Sequence, residues 1–289
     1  MGRVWGWLAL VALVAMAAAV WRYAAPDEGA LVLRLESTQG PVRLERPDQG
    51  EIPSEEGAEL GAADRLVTGQ SGRATLMLGR ETEIRVRPDS SVEVLGVDEA
   101  GVTLELDRGA LTATVRPNSG AVRVGNQGRE VLAVHGDIEV GVEGEVMQVR
   151  SLEGEAAVSG ANVTRVPEGE EAILVGHRGG VGPIPEELLL AVAWPDSQER
   201  TRASESVVLG ASVPGAEVVV TTSLGEFRTV ADSKGAFRLS VPLDEGGNQV
   251  EVRATDPLGH EALVTGRLEH RDTRAPLLRH SQARPRSQP

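Results

Sequence analysis

From residue 31 to about residue 178, apolar and polar residues alternate in short segments, most of them closed by glycine or proline. Val102, Leu104 and Leu106 fall on one face, with Thr103 and Glu105 on the other; Leu111, Ala113 and Val115 repeat the pattern against Thr112 and Thr114. A period of two is strand geometry: successive side chains point to opposite faces, so one face of the segment is dry and the other wet. Ala74–Leu78 stops at Gly79 and Glu83–Arg87 at Pro88, both residues that favour turns over sheet interior. No segment keeps the 3.6-residue period of a long amphipathic helix. The chain is therefore expected to be all-β. A sandwich, a barrel and an irregular solenoid satisfy the same period equally well, so the topology of residues 30–178 stays open at this point.

The alternation fails at residues 175–187, VGHRGGVGPIPEE, and residues 179–187 are expected to be a linker. A second β set follows over residues 188–271. Its candidate strands are 188–194, 206–213, 216–222, 226–231, 236–243, 248–255 and 261–269. Seven short strands within about 85 residues fit an immunoglobulin-like sandwich. Asp232-Ser233-Lys234-Gly235 is expected to be a type I hairpin turn. The final residues, 272–289, carry Arg274, Arg279, Arg284 and Arg286 among Pro, Ser and Gln; this basic tail has too little apolar surface to order itself.

Residues 1–25 contain an uncharged run from Val4 to Trp21, preceded by Arg3 and followed by Arg22. About 18 apolar residues at a helical rise of 1.5 Å span roughly 27 Å, close to the hydrocarbon thickness of a bilayer. Trp5, Trp7, Trp21 and Tyr23 sit where interfacial aromatic belts form. The expectation is a transmembrane anchor with the bulk of the chain in the periplasm or outside the cell. The alternative is a signal segment cleaved near Ala17–Ala19 or Ala24–Ala25, giving a secreted protein.

Composition narrows the function. There is no cysteine, which removes disulfides, thiolate metal sites and cysteine nucleophiles. A net charge of -14 repels phosphate backbones, so nucleic acid is not an expected partner. Beyond the N-terminal segment the only aromatic residues are Trp194, Phe227 and Phe237, so the core must be aliphatic and stacking platforms for bases or sugars are scarce.

The only close His/Asp pair is His135-Gly136-Asp137, with no nucleophile elbow to accompany it; it is expected to be a turn between strands. The pairs Glu55-Glu56, Glu170-Glu171 and Glu186-Glu187 are expected to be solvated turns. None of the five histidines has zinc-ligand spacing. No catalytic, cofactor-binding or metal residue is assigned, no cofactor is expected, and the small-molecule ligand, if any, is unknown.

Asp64-Arg65-Leu66-Val67-Thr68-Gly69, then Ser71–Leu78, Arg87-Pro88-Asp89-Ser90-Ser91-Val92, Leu104–Leu111, Glu153–Val158 and Gly169-Glu170 together resemble the FecR-type domain over roughly residues 40–175. The family's Val-Arg-Gly-Thr element, followed by phenylalanine, stands here as Val134-His135-Gly136-Asp137-Ile138-Glu139. The resemblance implies a β-rich periplasmic sensing or relay domain. Its best-known members also handle a sigma factor through a cytoplasmic region; with only Met1–Arg3 ahead of the apolar run, that role is not expected of this polypeptide alone.

Gly210, Pro214–Val218, Asp232–Phe237, Leu243, Gly246, Asn248 and Ala254–Gly259 resemble a bacterial Ig-like domain. In that resemblance Phe237 and Val250 face the core, while Asn248 and Asp256 sit at its corners. The leading expectation is a membrane-anchored, non-enzymatic signalling module that binds another envelope or membrane protein through its first domain, with the Ig-like domain as a spacer. The alternative is an envelope scaffold or adhesion protein.

Overall fold

The computed structural model describes residues 31–195 and 200–273. The apolar run in residues 1–25 and residues 274–289 of the basic tail lie outside the described residues. Among the described residues no helix is long and apolar enough to cross a membrane, and the regular structure consists of strands.

Residues 33–183 form one mixed 15-stranded sheet. Its pairings are antiparallel except that Ala121–Asn126 runs parallel to the first half of Gly101–Val115. Three long strands, Gly101–Val115, Arg129–Glu143 and Val146–Ser159, set its shape. Each is interrupted by two exposed residues and a glycine: Asp107-Arg108-Gly109, Val134-His135-Gly136 and Leu152-Glu153-Gly154. The glycines have φ of 86°, 99° and 76°, a left-handed region that other residues enter only with strain. At these points the strands change partners. The first half of Gly101–Val115 pairs with Ser91–Asp98 and Ala121–Asn126, the second half with Thr82–Val86 and Arg129–Glu143. The sheet is thereby folded over into two layers around a single core.

That core is aliphatic, as the composition requires. Leu33, Leu35, Leu76 and Ile84 from one layer meet Leu44, Leu66 and Leu104 from the other, all at 0–1% exposure. Each such side chain contributes about 1.5–3 kcal/mol relative to leaving it in water.

The expected linker begins later than its composition suggests. Arg178–Pro183 is an edge strand, paired antiparallel with Glu170–Val175. An edge strand needs its backbone groups and little else, so a run rich in glycine can pair without any apolar alternation. At Gly179 a Cβ would lie 2.5 Å from the Leu174 side chain, so this strand also packs closer than a larger residue permits.

The second unit holds a three-stranded sheet of Ala191–Ala193, Glu205–Ala211 and Ala236–Pro242. A four-stranded sheet of Gly225–Val230, Glu217–Thr222, Gln249–Thr255 and Glu261–Arg267 lies against it. Val208, Phe237 and Val241 of the first share a core with Val218, Val220, Val250, Val252 and Ala254 of the second. Arg200–Thr201 and His270–Arg271 add a short parallel pair.

Asp232–Gly235 is a turn, but not a hairpin. Asp232 Oδ1 accepts from the Lys234 and Ala236 backbone N–H groups at 2.8 and 3.0 Å, and Gly235 has φ of 79°. The strands it joins belong to different sheets, so it carries the chain across the core. Local turn chemistry specifies the reversal, whereas sheet membership depends on which distant strand each side pairs with.

Candidate functional site

Strand register places a row of polar side chains on the outside of the folded sheet. Thr75, Arg85, Thr112, Glu139, Arg150 and Glu171 stand opposite one another across six adjacent strands. Their chain neighbours Val86, Leu111, Val140, Val149 and Ala172 point the other way, into the core. This is the period of two made visible: the same strands that build the core display a charged ladder on their other face.

The second unit covers one end of this ladder. After Gln249–Thr255 the chain makes a tight turn in which Gly259 N–H donates to Asp256 O at 2.8 Å and Asp256 N–H to His260 O at 2.9 Å. The turn lies flat on the strand Arg129–Glu143. A Cβ on Gly141 would sit 2.5 Å from Pro257 O, so glycine is needed for this approach. Leu258 is wholly buried beside it.

Charged groups line the contact. Arg150 Nε donates to Glu171 Oε2 at 2.7 Å and its Nη2 to Asp256 Oδ2 at 3.3 Å. Gln148 Nε2 donates to the same two carboxylates at 3.1 and 3.3 Å. The His260 ring lies 2.7 Å from Arg150 Nη1 and 3.2 Å from Asp256 Oδ2, with Glu139 at 3.9 Å on its other side. Arg87 closes the set, donating to Glu139 Oε1 at 2.8 Å and to the Leu258 carbonyl. The side chains of Arg150 and Asp256 are 6% and 0% exposed, so this pair is dry.

Burial alone would push the Asp256 carboxyl up. Hydrogen bonds from the His260 ring and backbone N–H, with the charges of His260 and Arg150, outweigh it and hold the group below its ordinary value. At the rim of the contact Glu143 goes the other way. Partial burial and the neighbouring Glu217 raise it, against the opposing pull of Arg108.

Arg87 is held by a hydrogen-bonded corner. The Thr68 hydroxyl donates to Arg87 O at 2.7 Å and accepts from Ser90 N–H at 2.9 Å. Ala110 N–H donates to Ser90 Oγ at 3.0 Å, and a Cβ on Gly109 would come within 2.5 Å of Ser90 Cα. Thr68, Ser90, Gly109 and Ala110 are among the residues that carry the sequence resemblance. Their shared work is structural: they lock three strands together and aim Arg87 at the second unit.

His135 and Asp137 are not in a turn between strands. They lie inside Arg129–Glu143, where the register with Val146–Ser159 shifts on both sides of Gly136-Asp137. Two adjoining bulges, one extra residue on each strand, let both strands serve two layers, a role that local sequence does not reveal. Asp137 Oδ1 is buried with no hydrogen-bond partner.

Glu55-Glu56 and Glu186-Glu187 are exposed, as expected, but Glu171 is not a solvated turn residue. It sits within Glu170–Val175, buried against Arg150. Gln148, Arg150 and His260 escaped the sequence reading because, in isolation, each is an ordinary polar residue on a wet face. Asp256 was legible only as a corner. Among the described residues, no group of three or more His, Asp or Glu side chains is arranged to hold a metal ion.

Two crystal structures of a candidate anti-sigma factor from Parabacteroides distasonis ATCC 8503, at 2.50 and 1.65 Å resolution, are similar to this chain at 16% and 15% identity. Each gives a TM-score of 0.36 and covers 42% of this chain and 59% of its own, so this chain spans less than two thirds of their length. No curated protein matches. Residues 64–159, which include the Thr68–Ser90–Ala110 corner and all three strand bends, match the FecR protein family.

Proposed function

We propose that this chain is a non-catalytic signalling module of the cell envelope that works by binding another envelope or membrane protein. The FecR match over residues 64–159 carries this reading. The uncharged run Val4–Trp21 supports attachment to a membrane, with the β units in the periplasm or outside the cell. Its removal as a signal segment would leave the same units exported.

The second unit is taken as an Ig-like module, a reading supported by its two facing sheets and the turn residues that joined it to that pattern. Its role is narrower than that of a free spacer. The dry Arg150–Asp256 pair and the close approach at Gly141 fix it on the first unit, so a partner would meet both as one body. Affinity capture with the full chain from envelope extracts tests the reading: a specific protein partner is expected, and recovery of none would refute it. N-terminal sequencing of the mature protein separates anchor from cleaved signal.

A further inference from the structure

The polar ladder continues past the docked turn into an open groove of about 360 Å³. Arg73, Arg85, Thr112, Asp137, Glu139 and Leu152 are among the residues that line it. The covered half shows what this face accepts. There a carboxylate, Asp256, meets Arg150; two residues on, the buried Leu258 gives its carbonyl to Arg87.

The open half offers the same chemistry without an occupant. Arg73 has no side-chain hydrogen bond or ion pair among the described residues. Among the described residues Arg85 has one ionic partner, Glu83, and its side chain is 60% exposed. Leu152 is 48% exposed at the wall.

We propose that this groove is the docking site for an extended segment of a partner protein carrying a carboxylate followed by an apolar side chain, bound as the Asp256–Leu258 turn is bound on the covered half. The inference rests on the protein-binding reading above and gives it a location. The carboxylate pairs with Arg73 and Arg85, and the apolar side chain packs on Leu152. A free dianion such as phosphate suits the groove poorly, because Asp137 and Glu139 on its lining repel a second negative charge and phosphate has no apolar part to place on Leu152. A second copy suits it poorly as well: its own Asp256 is buried in cis, and copies at -14 repel.

The test titrates the full chain against a fluorescein-labelled peptide with the sequence of residues 254–261, read by anisotropy. A saturable rise is expected. It should weaken at least tenfold on the Arg73→Glu, Arg85→Glu double variant, with an unchanged melting temperature, and likewise for the peptide carrying Asp256→Lys. No saturable rise, or equal binding to the double variant, overturns the proposal; equal binding there means that the peptide has only displaced the docked turn. Self-association lost in the same variant also overturns it, in favour of a second copy. The envelope capture distinguishes the two failures: a partner still retained by the double variant leaves the protein-binding reading standing and removes the groove from it.

Discussion

The covered and open halves of the polar ladder each present an arginine on the same face of one sheet, Arg150 between Glu139 and Glu171 and Arg85 between Thr75 and Thr112, and they differ in what faces them. Under the Asp256–His260 turn, Arg150 has two carboxylates and almost no water. In the open half, Arg85 has one carboxylate and the solvent. A dry ion pair is costly to form and costlier to break, because removing one partner strands the other charge. An exposed pair exchanges one hydrated arrangement for another. The difference shows how a polar sheet face becomes an interface: carboxylates flank the covered arginine, and a roof over them excludes the water that the open arginine keeps.

The sharpest way to break this comparison is Asp256→Ala. It leaves buried Arg150 with Glu171 as its one carboxylate and strips His260 of its nearer carboxylate, and should cost about 3–5 kcal/mol, read by urea denaturation. Limited proteolysis between the units should accelerate with it. A loss below about 1 kcal/mol would put the covered pair in the same class as exposed ones.

Gly141→Val attacks the same contact through shape. Its side chain must displace the Pro257 carbonyl, at an expected cost of about 1–3 kcal/mol. The readout is again faster cleavage between the units, with the strand content unchanged by circular dichroism.

Acidification should act in the same direction. Asp256 is depressed in the folded protein, so its contribution is complete above its ordinary unfolded value and is lost as pH falls through the lower folded one. Stability measured over that acid window should fall more steeply in the native protein than in Asp256→Asn. Glu143 has the opposite sign. Its raised value makes the charged form unfavourable in the fold, so Glu143→Gln should raise the melting temperature slightly at neutral pH and not at all once the carboxyl is protonated.

The smallest effect is expected from Arg85→Ala, at under about 1 kcal/mol in denaturation, since its pair with Glu83 is exposed. A larger loss would mean that the open half also carries structural load.

Much of the fold was legible because it is local. Val102-Thr103-Leu104-Glu105-Leu106 states its own two faces, and Asp232 with Gly235 states a reversal. The strands of the two larger sheets of the second unit fall within the predicted segments or a residue outside them, although residues 188–194 yield only Ala191–Ala193, and the short pair Arg200–Thr201 and His270–Arg271 lies outside every predicted segment. Edge pairing at Arg178–Pro183 was hidden, because glycine-rich backbone can pair without an apolar signature. The bulges beside Gly136-Asp137 were hidden too, since each exists only relative to its partner strand.

By itself, the sequence determined that the described chain would be β throughout, that its larger core would be aliphatic, and which residue of each alternating pair would turn inward. It could not determine what would cover the outward residues. Arg150 and Asp256 are 106 positions apart, and the periodicity around each reports only a polar face. Whether such a face meets water or another surface depends on how the two units dock. Only the tertiary structure brings the turn over the ladder, leaving one half dry and the other open.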